Sequence, residues 1–404
     1  MIDTALDAMP YREALQRVLA LAPLLPAEPV PLAQCAGRVL AEDLLANAPR
    51  PAIDLSAMDG YALRHADVDA GSRLPICGAG VAGDPAGLLK SGHAYRILTG
   101  AAVPQGADTI IPQENVTLTD ETIIIGTLPP KGANIRRAGE EFRKGDRLIA
   151  AGTRLDWRHV AMLACEGVAY PKIRRQLRAT ILASGKELVQ PGGKLQPGQI
   201  FDSNSPMLAA LFDALGLRTT VQVVACDEAA SLRTALMQAC TTADIVVTTG
   251  GISVGDTDHV HGALRDLGAE ILFRGVTIRP GRPQTVATLG KTTLFGLPGN
   301  PTASVVGAIG LLIPFVRRAY GQNELPTVSG RLDFEPKFRS DLTQFVFVDL
   351  VDSDAGPLIR PARSAGTADI FSLLLSKGVL RIDPEAPPPL RGTHAAVIPF
   401  AALL

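Results

Sequence analysis

The sequence predicts a multidomain α/β protein built around a mostly parallel, doubly wound sheet, accompanied by a β-rich module, a discontinuous α+β domain and a C-terminal β-domain. Three observations predict it. The chain has 404 residues, more than one ordinary core organises, so two to four domains of roughly 100 to 200 residues are expected. Between about residues 179 and 320, strand-like and helix-like runs alternate, the pattern of a parallel sheet covered on both faces. Before and after that stretch, short apolar runs are punctuated by Gly and Pro, as in small β-modules. The expected divisions are 1–50 with 141–176 for the discontinuous domain, 51–140 for the β-rich module, 177–325 for the α/β domain and 326–404 for the C-terminal β-domain.

The elements follow in order. Residues 10–22 place Leu15, Val18, Leu19 and Ala22 at helical spacing behind a proline suited to a first turn. From Leu55 to about Arg137 come short β-like runs such as Tyr95-Arg96-Ile97-Leu98 and Thr122-Ile123-Ile124-Ile125. Residues 145–170 return to mixed character, with a strand-like 146–149 and an amphipathic helix over 157–166. Ala179-Thr180-Ile181-Leu182-Ala183 then reads as a buried strand. Residues 206–215 read as a helix with Ser205 as N-cap, Leu208, Leu211, Phe212 and Leu215 inward, and Gly216 just past its end. A strand over 219–224, a helix carrying Leu232, Leu236 and Ala239, and a strand over 244–249 come next. A helix near 259–267, strands near Ile271, Val286 and Leu294, and a long helix over 302–320 complete the series. Beyond Val328, the runs 344–350, 378–382 and 395–398 alternate like strands of a small sandwich or barrel.

Bulk properties exclude several classes. Apolar residues at 47% and charged residues at 20% are close to the globular average and argue against disorder. The longest apolar stretches, 18–26 and 307–316, are about half of a ~20-residue membrane span and both contain Pro, so no membrane partner is expected. A net charge of −1 and only 4% aromatics leave neither an electrostatic drive nor a stacking platform for nucleic acid. The five cysteines are isolated, and acids stand in 1–7 where an export signal would carry Lys or Arg. A soluble, cytoplasmic protein is therefore expected. The six histidines are scattered, and the i, i+2 spacing of His259 and His261 puts them on different helix faces, so zinc is not expected. With no G-x-S-x-G, Walker lysine loop or G-x-G-x-x-G after a strand, the hydrolase, ATPase and dehydrogenase templates fail.

Ligands of open α/β sheets bind at the carboxyl ends of the strands, so the residues just after each expected strand are the informative ones. Thr248-Thr249-Gly250-Gly251-Ile252-Ser253-Val254-Gly255-Asp256-Thr257-Asp258 combines close backbone approach at glycine with hydroxyls and two carboxylates that can hold Mg²⁺. A sharp strand-to-helix turn capped by Asp accounts for the same residues equally well. Gly296-Leu297-Pro298-Gly299-Asn300-Pro301-Thr302 precedes the longest helix, where Pro301 leaves the following N–H groups available to an anion, or simply makes a rigid turn. In Ser184-Gly185-Lys186-Glu187, Glu187 suits a cation and Lys186 a phosphate, while as an exposed ion pair they would signify little. Arg279-Pro280-Gly281-Arg282-Pro283 offers two forked donors matched to phosphate, carboxylate or a tetrahedral oxyanion, or a solvated surface pair. In the β-rich module, Ser56-Ala57-Met58-Asp59-Gly60-Tyr61-Ala62, Thr99-Gly100 and Asn134-Ile135-Arg136-Arg137-Ala138-Gly139-Glu140-Glu141 each serve, taken singly, as turns, caps or charge clusters.

In order, Ser56-Ala57-Met58-Asp59-Gly60-Tyr61-Ala62, Leu98-Thr99-Gly100-Ala101, Asn134-Ile135-Arg136-Arg137, Gly250-Gly251-Ile252-Ser253-Val254-Gly255 and Gly296-Leu297-Pro298-Gly299-Asn300-Pro301 resemble the motifs of the MoeA family and of the gephyrin E-domain, over nearly the whole chain. The resemblance implies a four-domain subunit whose α/β domain is of the molybdopterin-binding type. It implies a homodimer with its cleft between the α/β domain of one protomer and the β-rich module of the other. Members of the family act as molybdopterin molybdenumtransferases. They take adenylylated molybdopterin from a molybdopterin adenylyltransferase, bind molybdate with Mg²⁺, insert the metal with release of AMP, and pass the product toward molybdoenzymes or their chaperones.

Carried onto this chain, the resemblance implies catalytic roles for Asp59, Thr99, Glu187 and Asp258, and metal binding by Glu187, Asp258 and Asp227 or Glu228. It implies binding of the pterin nucleotide and oxyanion by Arg136, Arg137, Gly250, Gly251, Ser253, Arg279, Arg282, Pro298, Asn300 and Pro301. Glu141 would line the cleft, with Ser364 or Thr367 reaching it from the C-terminal domain. The chain departs from the family at Lys186, where Asp is usual, at Arg279 and Arg282, where Lys is usual, and at Ser376-Lys377 in place of Ala-Asn. The lost acid at Lys186 motivates a second expectation, an altered paralogue that carries the cofactor or pterin nucleotide without turnover.

Overall fold

In the computed structural model, which describes residues 8–224, 229–250 and 259–403, the alternating stretch becomes a six-stranded sheet. Its strands are Arg178–Ser184 (β1), Arg218–Val224 (β2), Ile245–Thr249 (β3), Glu270–Arg274 (β4), Thr285–Leu289 (β5) and Thr292–Leu297 (β6), in the order β2-β1-β3-β6-β5-β4. The pairings of β1 with β2 and β3, and of β3 with β6, are parallel. Those of β5 with β6 and β4 are antiparallel. The central strands β3 and β6 are buried at every position, which is why neither shows the polar alternation of a half-exposed strand.

Because successive side chains on a strand point to opposite faces, one strand feeds two cores. Ile181, Ile245 and Val247 pack with Leu208 and Phe212 of helix Asn204–Ala214 (α1). On the other face, Leu182 and Val246 pack with Leu232 and Leu236 of helix Ala229–Thr242 (α2) and Val260 and Leu264 of helix His259–Asp266 (α3). The sheet is doubly wound, as expected.

One expectation needs correction. Ser205 is not the N-cap of α1, which begins at Asn204. The Ser205 N–H donates to the Asp202 carboxylate at 3.0 Å, and this charged acceptor satisfies the first turn one step earlier than the hydroxyl would. The apolar run near 307–316 lies within the long helix expected over 302–320. Pro301–Ala319 is 19 residues long and, by length and composition alone, could cross a membrane, but 83% of its apolar window is buried inside the protein. That is the setting of a core helix, and its middle turn, Ala308–Leu312, is π-helical.

The C-terminal strands form a closed β-structure. Thr343–Val351 pairs with both Leu358–Pro361 and Gly378–Ile382, while Val328–Leu332 and His394–Pro399 complete the ring. The two-residue strand Ile278–Arg279 joins this barrel by pairing parallel to Thr343 and Gln344.

The chain divides into two compact units, one of Asp43–Ala150 with Ala161–Ala169 and the other of Met1–Glu42, Ala151–Val160 and Tyr170–Leu404. The first holds a six-stranded sheet in the order Thr109–Pro112, Gly60–Leu63, Ala94–Ile97, Arg73–Gly80, Thr122–Ile125, Val116–Thr119. Its own core comprises Tyr61, Leu63, Ile111 and Ile123 among others. The second contains the α/β sheet, the barrel and the N-terminal helix Tyr11–Leu21, whose Tyr11 hydroxyl donates to the Gly310 carbonyl of the π-helical turn at 3.0 Å.

Candidate functional site

In the β-rich unit, three motifs distant in sequence fold as one. Strand Leu55–Ser56 pairs with Ile135–Arg136. Ser56 N–H donates to the Ala101 carbonyl at 2.9 Å, Gly100 N–H to the Ser56 carbonyl at 2.8 Å, and Ala57 N–H to the Asn134 carbonyl at 2.9 Å. The buried Ser56 hydroxyl donates to the Met58 carbonyl at 2.6 Å and shapes the turn that presents Asp59. Asp59 is exposed, and its Oδ1 accepts both the N–H and the hydroxyl of Thr99 at 2.7 Å. The Thr99 N–H, then its hydroxyl, with a further contribution from the Arg96 charge, outweigh desolvation and hold the Asp59 carboxyl below the usual range.

Arg50, Arg136 and Arg137 of this unit are engaged by carboxylates. Arg136 bonds Glu140 at 2.7 Å and Glu141 more closely, and Glu141 also accepts from Arg50 at 3.1 Å. Arg137 bonds Asp54 at 2.6 Å. The Arg136 hydrogen bond is the main reason the Glu141 carboxyl is depressed. A hollow of about 400 Å³ is lined by Arg50, Ile53, Leu55, Arg136, Glu141 and Cys165. An anion entering it competes with carboxylates for the Arg136 guanidinium.

In the larger unit, the ends of β1, β3 and β6 come together at the carboxyl rim of the sheet, through Ser184, Gly250 and Gly299. A β-carbon on Gly250 would stand 3.1 Å from the Ser184 carbonyl oxygen, and one on Gly299 would stand 3.7 Å from the Gly250 Cα. Gly250 N–H donates to the Leu297 carbonyl at 3.1 Å. Only glycine fits this approach at Gly250, whose φ is +83°. Asn300 precedes the long helix and Pro301 opens it, with Pro298 buried behind.

The C-terminal domain braces this turn through Thr367. Its hydroxyl accepts from Asn300 Nδ2 at 2.8 Å and its carbonyl from the Thr302 hydroxyl at 2.7 Å. The exposed residues Arg279 and Arg282 flank Gly281, where a β-carbon would lie 3.0 Å from the Ala303 carbonyl, so the arginine turn packs against the first turn of the same helix. Glu187 is exposed, with its carboxylate folded over Gly185, 2.6 Å from where a β-carbon would stand. Among the described residues, Asn204 Oδ1, Ser205 Oγ and Thr248 Oγ1 are buried with no hydrogen-bond partner, leaving polar atoms near this rim to be satisfied.

Thus Gly250, Pro298, Asn300, Pro301 and the turn of Arg279 and Arg282 come together in one unit, and Asp59, Thr99, Arg136, Arg137 and Glu141 belong to the other. Gly251, Ser253, Asp256, Asp258, Asp227 and Glu228 lie outside the described residues. Among the described residues, no three His, Cys, Asp or Glu side chains gather as a metal cluster. Sequence reasoning passed over Asn204, whose Nδ2 donates to the Gly299 carbonyl at 2.7 Å, and over Arg96 and Gln113. Asn204 stands in a polar Asp-Ser-Asn-Ser run just before an expected helix, which was a usable signal. The other two had none, because cross-strand register is not written in composition.

Residues 9–167 match the family described as MoeA N-terminal region (domain I and II), and residues 180–318 match the probable molybdopterin binding domain. The chain is 36% identical over 323 residues to the molybdopterin molybdenumtransferase of Haemophilus influenzae, covering 76% of this chain and 80% of that protein. It is 32% identical over 372 residues to the enzyme of that name from Staphylococcus aureus strain COL, covering 90% and 88%. The crystal structure of a molybdopterin biosynthesis MoeA protein from Pyrococcus horikoshii superposes with a TM-score of 0.82 at 28% identity, over 98% of this chain and 99% of that one. With both halves matched and relatives similar along most of their length, this chain belongs to the MoeA family.

Proposed function

We infer that this protein is a molybdopterin molybdenumtransferase, which inserts molybdate into adenylylated molybdopterin and releases AMP during molybdenum-cofactor biosynthesis. The observation that carries the reading is the rim where Gly250, Gly299, the start of the Pro301 helix and the Arg279–Arg282 turn meet. The positive end of a helix and forked cations are the features that phosphate and tetrahedral oxyanions require. Asp59, kept ionised by Thr99, accepts a hydrogen bond or a proton from the bound substrate.

Glu187 offers the hard oxygen donor that Mg²⁺ prefers, and Asp227 and Asp258 would complete its set. When bound, Mg²⁺ neutralises charge on the anionic substrate. The protein works as a cytoplasmic homodimer, supplied by molybdopterin adenylyltransferase and serving molybdoenzymes or their chaperones. Purified protein mixed with adenylylated molybdopterin, molybdate and Mg²⁺ is expected to release AMP, and no release under any condition rejects the reading.

Lys186 favours a second reading. This exposed base stands beside Glu187, opposing cation binding there, as in a carrier that binds pterin nucleotide tightly without turnover. Calorimetric binding of the pterin nucleotide without AMP release would select it.

A further inference from the structure

The β-rich unit carries a cation that neither its motifs nor its ion pairs account for. Arg96, on strand Ala94–Ile97, lies directly across from Tyr61 on strand Gly60–Leu63. Its guanidinium carbon stands 4.9 Å from the centroid of the Tyr61 ring. Its Nη2 donates to Gln113 Oε1 at 2.9 Å, and the Gln113 N–H donates to the Asp59 carbonyl at 3.0 Å. Arg96 is thereby tied to the turn that presents Asp59.

What the guanidinium does not do is equally informative. Arg136 and Arg137 each close on a carboxylate, whereas Arg96 makes no ion pair among the described residues, and Asp59 is near enough to feel its charge without being bonded to it. A neutral amide and an aromatic face fix the plane of the fork without neutralising it, leaving most of its N–H donors open. Such a preorganised cation loses little freedom on binding and matches an oxyanion geometrically.

We propose that Arg96, stacked on Tyr61 and anchored by Gln113, is the oxyanion-binding residue of the β-rich unit and seats a phosphate or a tetrahedral molybdate beside Asp59. The proposal rests on the reading that Asp59 serves the molybdenum-transfer reaction. A nucleotide phosphate and free molybdate share this chemistry, so the test treats them separately.

The full chain, its Arg96→Gln variant and its Arg96→Met variant are titrated calorimetrically with AMP and, in a second arm, with molybdate, and AMP release is followed at steady state. Met keeps an unbranched stem over the Tyr61 ring, so it decides the matter should Arg96→Gln fail to fold. Loss of one charge-assisted anion contact is expected to weaken one ligand about tenfold or more and leave the other within about twofold. The affected arm identifies the source of the oxyanion. KM for the pterin nucleotide or for molybdate rises in step, while kcat stays within about twofold.

Unchanged affinity for both ligands in a folded variant overturns the proposal, as does a wild type that binds neither. A fall in kcat with unmoved affinities means that Arg96 acts in the transition state and does not seat the bound anion, and also overturns it. If Arg96-dependent binding persists while the wild type releases no AMP, the transferase reading fails and the Arg96 site stands.

Discussion

At Asp59 one side chain is controlled by one neighbour. Both donors of Thr99 reach the same carboxylate oxygen at 2.7 Å, and they favour the charged form. The carboxyl therefore titrates below its ordinary value of 3.8. Replacing Thr99 by Val removes the hydroxyl and leaves the N–H, so the Asp59 pKa rises. Between the old and new values, wild type is ionised and the variant is protonated. The acid limb of the kcat/KM profile for AMP release is accordingly expected to move to higher pH in Thr99→Val, with activity near pH 8 changed only a few-fold. An unmoved limb would show that ionisation of Asp59 does not gate the reaction. Asp59 and Thr99 were legible through the family resemblance of their motifs, since taken singly each motif reads as a turn or a cap. Arg96 and Gln113 were not, since their relation to Asp59 exists only once strands Gly60–Leu63 and Ala94–Ile97 have found their register.

Among the elements, two contacts decide whether the site-bearing layers form. Gly60 lies on a buried strand between two neighbours, and a β-carbon there would stand 2.0 Å from the Ile111 carbonyl oxygen and 2.9 Å from its carbon. Backbone cannot yield as a flexible side chain can, so Gly60→Ala is expected to cost about 3 kcal/mol, measured as a lowered urea midpoint. At the opposite edge of the α/β sheet from the candidate site, Asp244 accepts from Arg175 at 2.8 and 3.2 Å, from the Arg178 N–H at 2.8 Å and from its guanidinium at 3.1 Å. Burial alone would raise the Asp244 carboxyl, but these bonds, led by Arg175 and Arg178, prevail and bring it to about 2. The unfolded value is about 3.9, so the folded form is the stronger acid. Its contribution, about 2 kcal/mol, is complete above that value and lost as pH falls from about 4 to about 2. Asp244→Asn should therefore destabilise the protein by about 2–3 kcal/mol at pH 7, and the difference should shrink as denaturation is repeated toward pH 2. A difference independent of pH would mean that packing, not charge, holds this edge.

Across the whole molecule, the α/β layer could be read from the chain because β3 and β6 are buried throughout and α1 and α2 show one apolar face each. The closure of the barrel could not, since it depends on Thr343–Val351 pairing with two partners, and a two-residue strand such as Ile278–Arg279 is too short to show any period. That short strand carries Arg279, so part of the candidate site follows from the least readable element. The two compact units have separate apolar cores, one around Leu63, Ile111 and Ile123 and the other around Ile181, Val247, Phe212 and Phe315. Cooperativity in unfolding follows shared burial, so heating in a calorimeter is expected to give more than one transition. Gly60→Ala should lower the transition of the β-rich unit by roughly 10 °C while leaving the other nearly in place, and Asp244→Asn should do the reverse at neutral pH. A single transition displaced by both substitutions would show that the two cores unfold as one. In that case, a defect at Gly60 would reach the loops around Gly250 and Pro301 through global stability rather than through the geometry of Asp59.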